Sequence, residues 1–204
     1  MPWPWSSTDV GPVDLIGRAG YNNGTFTVSG SGRGIPDFSY AANLDYLQFV
    51  YVYVPITTSG YIQARITNVQ NTSANAKAGV MIRENLYADS QFAMADVQQS
   101  AGMEFVRRNG NGANAVGTTV AGTAPKWVRL TRPNNTFRAY SSSDGTTWAA
   151  IGTSSTFTSM ASGADIGLVV SSGDNGFLDT SVLDNVTSSF LLTNTAPTLT
   201  AIPN

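Results

Sequence analysis

Short runs of β-branched and aromatic residues, separated by turn residues, make up most of the chain. Several of these runs alternate apolar and polar positions with period two, which is typical of strands with one buried face. No segment carries an apolar stripe at the 3.6-residue spacing of an amphipathic helix. The pattern predicts ten strands: Thr25–Ser29, Tyr46–Pro55, Tyr61–Val69, Ala76–Glu84, Gln91–Gln98, Met103–Arg108, Lys126–Arg132, Thr136–Ser142, Ile166–Ser171 and Ser181–Ser188.

Turn signals separate these strands. Asn-Gly and Asp-Gly pairs accept the positive φ angles of tight hairpins, so each one predicts a turn. The turn signals are Asn23-Gly24, Asn109-Gly110-Asn111-Gly112, Asn134-Asn135, Asp144-Gly145 and Asp174-Asn175-Gly176. We therefore expect one all-β domain over residues 1–190, an antiparallel jelly-roll β-sandwich. Residues 191–204 are rich in Thr and Pro and are expected to be a linker toward a following repeat.

The composition excludes several kinds of site. The 204 residues contain no Cys and no His, which excludes disulfides, zinc fingers and Ser-His or Cys-His catalysis. A net charge of -2 provides no basic field, so nucleic acid is not an expected partner. No apolar run approaches the ~20 residues of a membrane-spanning helix, so membrane insertion is not expected.

Charged residues make up 12% of the chain, and Gly, Ser, Thr and Asn replace them, which is typical of secreted proteins. The segment that begins at Met1 lacks the basic and apolar regions of a signal peptide. We therefore expect a secreted or cell-surface module, monomeric and cut from a longer chain whose targeting signal lies upstream.

Four stretches in the middle of the chain carry a further signal: Ala76–Glu84, Gly102–Arg108, Pro125–Arg132 and Asn135–Trp148. Their order and spacing resemble the concanavalin-A-like (lectin/glucanase) modules of bacterial secreted multidomain proteins. The resemblance extends from Trp5–Gly11 to Leu183–Val186, and Asn194–Pro197 looks like the entry to an immunoglobulin-like repeat. It implies the concanavalin-A-like fold, with neighbouring domains of the same chain as partners. The family has no single activity, so the resemblance implies a fold more firmly than a function.

The carboxylates argue against an enzyme. Catalytic members of the wider fold use a Glu-x-Asp-x-x-Glu arrangement, and neither glutamate of this chain begins one. The best acid/base pair is Asp96 with Glu104, which we expect to face each other on adjacent strands. The alternative, which we favour, is that both are solvated or paired with Arg83 and Arg108. Ser142–Trp148 resembles the Asp-box of sialidases, one residue short, and in that motif the Asp stabilises a hairpin.

Strand alternation also predicts a sugar-binding face. Sugar sites combine aromatic rings, which stack on pyranose faces, with planar polar side chains, which hydrogen-bond hydroxyls. If Leu47 and Phe49 point into the core, and the other strands alternate likewise, the remaining positions point outward. The outward set is Tyr46, Gln48, Arg83, Asp96, Gln98, Glu104, Trp127 and Arg129. Alternatives stay open, because Trp127 could be core packing and a one-residue error would reverse any strand.

Trp3 and Trp5 form a second candidate site. Two tryptophans separated by one residue could stack on a polymer, or they could clamp the N-terminal strand onto the sandwich. Trp5 fits the start of the family and is expected to be packed. The role of Trp3 stays open.

Calcium is the one metal that we consider, because it takes oxygen ligands from Asp, Asn and backbone carbonyls, all of which are plentiful here. Jelly-roll binding modules often hold a structural Ca²⁺ where the N- and C-terminal strands meet. Asp9 and Asp184, beside Asn185, are expected at that position, with Asp14 in reserve. The alternative is a turn role for these residues.

Together these observations favour a non-catalytic carbohydrate-binding-like module that presents polysaccharide to a neighbouring domain. The alternative is a structural or adhesive spacer without a small ligand. A glycan-active enzyme that uses Asp96 and Glu104 is a distant third hypothesis.

Overall fold

A computed structural model of the chain describes residues 1–35, 43–55, 59–161 and 163–190. Over these ranges the chain forms fourteen strands in two seven-stranded antiparallel sheets. The predicted antiparallel jelly-roll sandwich is therefore confirmed. The linker predicted over residues 191–204 lies outside the described residues, among which no helix is long and apolar enough to cross a membrane.

Sheet A has the strand order β1-β4-β13-β6-β7-β8-β9. Its strands are β1 (Ser6–Val10), β4 (Leu47–Pro55), β6 (Lys77–Arg83), β7 (Phe92–Gln98), β8 (Gly102–Arg108), β9 (Val116–Val120) and β13 (Gly163–Ser171). Sheet B has the order β12-β11-β10-β5-β14-β3-β2. Its strands are β2 (Arg18–Asn22), β3 (Thr25–Gly32), β5 (Gly60–Asn68), β10 (Lys126–Arg132), β11 (Thr136–Ser142), β12 (Ala149–Thr156) and β14 (Asp174–Ser188).

The predicted turns at Asn23-Gly24 and Asn134-Asn135 show the expected positive φ, whereas Asp174-Asn175-Gly176 lies at the start of β14. Asn23 and Gly24, between β2 and β3, have φ angles of 44° and 86°. Positive φ at both central residues is the requirement of the type I′ turn, which explains the Asn-Gly pair. Asn134, between β10 and β11, has a φ of 57°.

The main core lies between the sheets. Alternate apolar side chains of the central strands fill it, and each one that is fully buried contributes about 1.5–3 kcal/mol. Sheet A supplies, among others, Val50, Val52, Val80, Ile82, Ala95, Phe105, Ile166 and Leu168, and sheet B supplies Val28, Ile62, Ile66, Val128, Leu130, Phe137 and Leu183.

The other face of sheet A carries a second apolar cluster. Side chains from this face, including Phe49, Met81, Phe92, Met94, Val106 and Val169, pack with Ile35 and Ala115 from loops that cover the sheet. Every residue of β6, β7 and β13 is therefore buried, on both faces. The outer face of sheet A is thus partly roofed, and this roof shapes the site described below.

The predicted orientation of β4 is wrong. Leu47 and Phe49 belong to the outer cluster, whereas Val50, Val52 and Val54 face sheet B. The strand is an almost continuous apolar run, and its first half is covered on both faces. Its sequence therefore carries no alternation that could set the direction of its side chains.

Candidate functional site

A cleft of about 770 Å³ opens on the outer face of sheet A, over the ends of β6 to β9. Its lining from the strands of sheet A includes Lys77, Gln98, Glu104 and Thr119. Loops supply Asp14, Arg33 and Asn75, and the start of β14 supplies Asp174 and Asn175. Val106 and Ile35 connect it to the outer apolar cluster. No aromatic side chain of the described residues lines this cleft.

An ion pair forms the floor of the cleft. The Lys77 Nζ donates to Glu104 Oε2 at 2.7 Å, and both side chains are about nine-tenths buried. The Thr119 hydroxyl donates to the other carboxylate oxygen of Glu104 at 3.3 Å. Glu104 is thus held by groups from the strands on either side of β7–β8, which fixes its position.

Asp96 lies beside this ion pair and is fully buried. It faces Glu104 directly in the β7–β8 register, as predicted. On its other side is Gly79, where an added Cβ would come within 2.6 Å of the Asp96 side chain. No N–H or hydroxyl group of the described residues donates to either Asp96 oxygen.

Burial raises the pKa of Asp96 well above its usual value, and the neighbouring Glu104 raises it further against the opposing charge of Lys77. Burial thus favours the protonated form of Asp96, and in that form its hydroxyl group can donate toward Glu104. With Asp96 protonated, the three side chains carry one positive and one negative charge.

Amide side chains stand at the rim. The Gln98 Nε2 donates to Asn75 Oδ1 at 3.0 Å and to the Ala74 carbonyl at 3.3 Å. The Asn175 Nδ2 donates to the Pro12 carbonyl at 3.3 Å, while its buried Oδ1 accepts no hydrogen bond from any described residue. A buried amide oxygen without a partner retains its capacity to accept from a ligand hydroxyl.

A buried cluster of two arginines and one aspartate lies at the opposite end of β6 from Lys77, where β6 and β8 end. Both guanidiniums contact Asp45: Arg108 Nη2 approaches its Oδ1 to 3.0 Å, and Arg83 Nη2 approaches its Oδ2 to 3.4 Å. Arg83 also donates to the Asn85 and Tyr87 carbonyls at 2.7 and 2.6 Å. All three ionic side chains are fully buried. They fasten the β6–β7 loop, and the chain before β4, onto the sheet.

The predicted pairing of Asp96 and Glu104 with Arg83 and Arg108 is therefore not found. Arg83 and Arg108 both pair with Asp45, whereas Glu104 pairs with Lys77. Lys77 was missed, although it has the same strand parity as Arg83 and alternation alone places it on the outer face. Asn75 was missed because it lies in a loop that the fold brings to the cleft. Asn175 was missed because its Asp-Asn-Gly pattern predicts a turn, whereas it lies at the start of β14.

The eight residues predicted for one face are divided among several places. Asp96, Gln98 and Glu104 lie together at the cleft, and Arg83 lies on the same face beneath the β6–β7 loop. Tyr46 is buried just before β4. Gln48 points toward sheet B and lies against Gly17 and Gly30, where an added Cβ would clash with it. Since β4 has the opposite parity to that expected, Gln48 is an interior residue.

Trp127 and Arg129 lie on the outer face of sheet B, away from the cleft. The parity of β10 is as predicted, with Val128 and Leu130 in the core. The Arg129 guanidinium stacks on the Trp148 ring at 3.9 Å, and its Nε donates to Gln63 Oε1 at 2.7 Å. The two residues were grouped with the cleft because a single sequence does not assign strands to sheets.

The Asp-box-like segment has the hairpin role that the resemblance implies. The Asp144 carboxylate accepts from the backbone N–H groups of Thr147 and Thr146 at 2.7 and 2.8 Å. These bonds, with one from the Ser142 hydroxyl, lower the pKa of Asp144. They close the β11–β12 turn, in which the Trp127 ring packs against Gly145.

The two acids expected at a calcium site do not lie together. Asp9, on β1 in sheet A, accepts from the Gly17 N–H at 3.0 Å. It is opposite Gln48, which lies against Gly30 of β3. Asp184, on β14 in sheet B, comes directly after Leu183, which pairs with Phe26 of β3. Phe26 and Gly30 are four positions apart along β3, which corresponds to roughly 13 Å.

The Asp184 carboxylate is also occupied by Arg65, which makes a bidentate contact at 2.5 and 2.8 Å. Among the described residues, no group of three or more acids is placed to hold a metal ion. These donors do not fit a shared calcium site.

Comparisons with known proteins show the fold. No protein-family model matches the sequence, and no curated protein matches it either. A functionally unknown protein from Saccharomyces cerevisiae superposes with a TM-score of 0.66 at 16% identity, over 92% of this chain and 97% of that one. The carbohydrate binding module CBM66 from Bacillus subtilis gives 0.57 at 15% identity, over 89% and 94%. A legume lectin-like domain from Entamoeba histolytica gives 0.60 at 8% identity, over 92% and 90%. The chain therefore has a concanavalin-A-like, lectin-type β-sandwich fold.

Proposed function

We propose that this domain binds a neutral, hydroxyl-rich glycan in the cleft on the outer face of sheet A. The observation that carries the proposal is the composition of the cleft. Its floor is a charge-balanced set of hydrogen-bonding groups, and its rim carries the amides of Gln98, Asn75 and Asn175. Such groups match sugar hydroxyls, which both donate and accept.

The charges favour a neutral ligand. The acids Asp14, Glu104 and Asp174 in the lining are nearly balanced by Lys77 and Arg33. A polyanionic glycan would need an excess of cations, which the described lining of the cleft lacks. With no aromatic residue in its described lining, the cleft would recognise sugar edges through hydrogen bonds rather than ring faces through stacking.

The domain is proposed to bind without catalysing a reaction. A glycosidase needs two carboxyl groups that reach the scissile bond. Asp96 is fully buried beneath the cleft surface, and Glu104 already accepts from Lys77 and Thr119. Both acids therefore support the floor of the cleft.

A carbohydrate binding module and a legume lectin-like domain among the similar structures support this role. In a secreted or cell-surface protein, the domain would hold polysaccharide near neighbouring domains and raise its effective concentration.

The experiment is a binding screen against neutral polysaccharides by affinity electrophoresis, followed by calorimetry with the best ligand. Loss of one amide hydrogen bond costs ~1 kcal/mol, so Gln98→Ala and Asn175→Ala are each expected to weaken binding several-fold. The matched control is Gln63→Ala, which removes an amide from the outer face of sheet B. An EDTA arm tests for calcium in binding, and a reducing-end assay on the same mixtures tests for hydrolysis.

Binding that persists unchanged in both cleft variants would overturn this placement of the site. Absence of binding to every neutral polysaccharide would favour the spacer role instead. New reducing ends, lost in Glu104→Gln, would overturn the non-catalytic assignment.

A further inference from the structure

A second pocket, of about 500 Å³, lies at one end of sheet B, where the N-terminal segment meets the β2–β3 turn and β14. Unlike the cleft on sheet A, it combines aromatic and polar side chains. The residues that matter are Trp3, Tyr21, Asn23, Asp184 and Asn185. It shares no lining residue with the cleft.

Trp3 is presented to solvent from an anchored segment. Its side chain is 79% exposed, the highest value for any tryptophan in the chain. The Trp5 N–H donates to the Pro2 carbonyl at 2.9 Å, which closes a turn with Trp3 inside it. Trp5 packs edge-on against Phe26 with ring centroids 5.3 Å apart, so the turn is fixed to the sandwich. Exposing a large ring costs hydrophobic stabilisation, which a ligand that covers the ring would restore.

Tyr21 adds a second ring to the pocket. It is 43% exposed and rests on Phe26, with ring centroids 4.8 Å apart. Phe26 therefore limits the movement of the Tyr21 ring.

The polar side of the pocket is also fixed in place. Asn185 has a φ of 51° at an irregularity of β14, where the pairing with β5 shifts register. Bulges of this kind redirect a side chain. The Asn185 Nδ2 donates to Asp184 Oδ1 at 2.9 Å, and the Arg65 Nε donates to the same oxygen at 2.8 Å. That hydrogen bond from Arg65 lowers the pKa of Asp184, which keeps it an anionic acceptor.

From this arrangement we infer that the pocket is a second saccharide subsite, in which a sugar ring stacks on Trp3 or Tyr21 and its hydroxyls bond Asn23, Asp184 and Asn185. The ligand class follows from the mixture of groups. An exposed ring beside a carboxylate and two amides suits a molecule with one apolar face and a polar edge, which describes a pyranose. The inference does not require the cleft to bind. If both sites bind one chain, the polysaccharide is held more tightly than a short oligosaccharide.

The test compares Trp3→Ala with wild type on galactomannan, arabinoxylan, laminarin and soluble starch, by affinity electrophoresis. Loss of a stacking ring is expected to weaken binding roughly three- to tenfold. The matched control is Tyr87→Ala, because Tyr87 is 75% exposed but lies on the β6–β7 loop. A second readout is tryptophan emission, which should shift with polysaccharide in wild type and not in Trp3→Ala. Trp3→Tyr keeps a ring and should restore most of the binding.

The outcomes separate this site from the cleft. Weakening by Trp3→Ala but not by Gln98→Ala supports the pocket and counts against the cleft, and the reverse pattern overturns the pocket. Equal behaviour of Trp3→Ala and Tyr87→Ala overturns it as well. The pocket is also overturned if Trp3→Ala loses binding, Trp3→Tyr does not restore it, and the urea midpoint of Trp3→Ala falls. The Trp3 ring would then have a structural role.

Discussion

Asp45 is enclosed by Arg83 and Arg108, and all three side chains are fully buried. The substitution Asp45→Asn keeps the shape of the side chain but removes its charge. Arg108 then loses the carboxylate that it contacts through both Nη1 and Nη2, at 3.0 Å each. Arg83 retains Asp165 as a nearby anion. The change therefore leaves buried positive charge that the remaining groups do not neutralise.

Removing one partner of a buried ion pair costs about 3–5 kcal/mol, because the other charge stays desolvated. Because Asp165 still partly compensates the charge of Arg83, we expect the loss of unfolding free energy for Asp45→Asn to be near the lower end of that range. A domain of ordinary stability, about 5–15 kcal/mol, would remain folded after such a loss.

The matched control is Asp184→Asn. Asp184 also makes a bidentate contact with an arginine, but the Arg65 side chain is 41% exposed. An exposed pair of this kind contributes about 0–1 kcal/mol. The two substitutions are chemically identical and differ in burial.

Equilibrium unfolding in urea measures both losses, since urea is uncharged and leaves ion pairs unscreened. We expect Asp45→Asn to lower the free energy of unfolding by at least ~2 kcal/mol more than Asp184→Asn does. Equal losses in the two variants, with unchanged m-values, would refute the claim that burial makes the Asp45 cluster important for stability.

Two further outcomes are expected from the structure. Burial raises the pKa of Asp179 to about 7, although the Gln70 N–H donates to it at 3.1 Å. The native state thus binds this proton more tightly than the unfolded chain, so stability from this group is full below about pH 4 and is lost as the pH rises to about 7. Asp179→Asn should remove this loss, so that its free energy of unfolding exceeds that of wild type by up to about 4 kcal/mol at pH 8. Urea unfolding of both proteins at several pH values measures the difference. A difference that does not change with pH would contradict the assignment. Phe49→Ala in the outer cluster should lower the free energy of unfolding by about 3–5 kcal/mol in the same assay. The control Tyr53→Ala, at the exposed end of β4, should lower it by less than about 0.5 kcal/mol. Similar small losses in both variants would mean that the loops do not pack on sheet A.

The central strands were predictable from sequence, and the edge strands were not. All ten predicted runs overlap observed strands, and the four strands that were missed are β1, β9, β2 and β12. Each of the four lies at an edge of its sheet. An edge strand such as β9, Val116–Val120, buries little side-chain surface and therefore has no apolar alternation to detect.

The part of the candidate cleft that lies on the β7–β8 strand pair was predictable from the sequence. Alternation along β7 and β8 placed Asp96 opposite Glu104, because neighbouring strands have a local register and a buried face. The same reasoning failed for Gln48, because β4 is covered on both faces and its apolar run has no direction.

The sequence by itself determined the all-β class, the turn at Asn23-Gly24 and the central strands, because these depend on residue types close together in the chain. Tertiary structure decided which strands share a sheet, so that Trp127 lies far from Glu104 and Asp9 lies far from Asp184. It also brought Asn75 and Asn175, a hundred residues apart in sequence, to one cleft. These placements depend on long-range strand pairing and loop packing, which no local pattern of residues encodes.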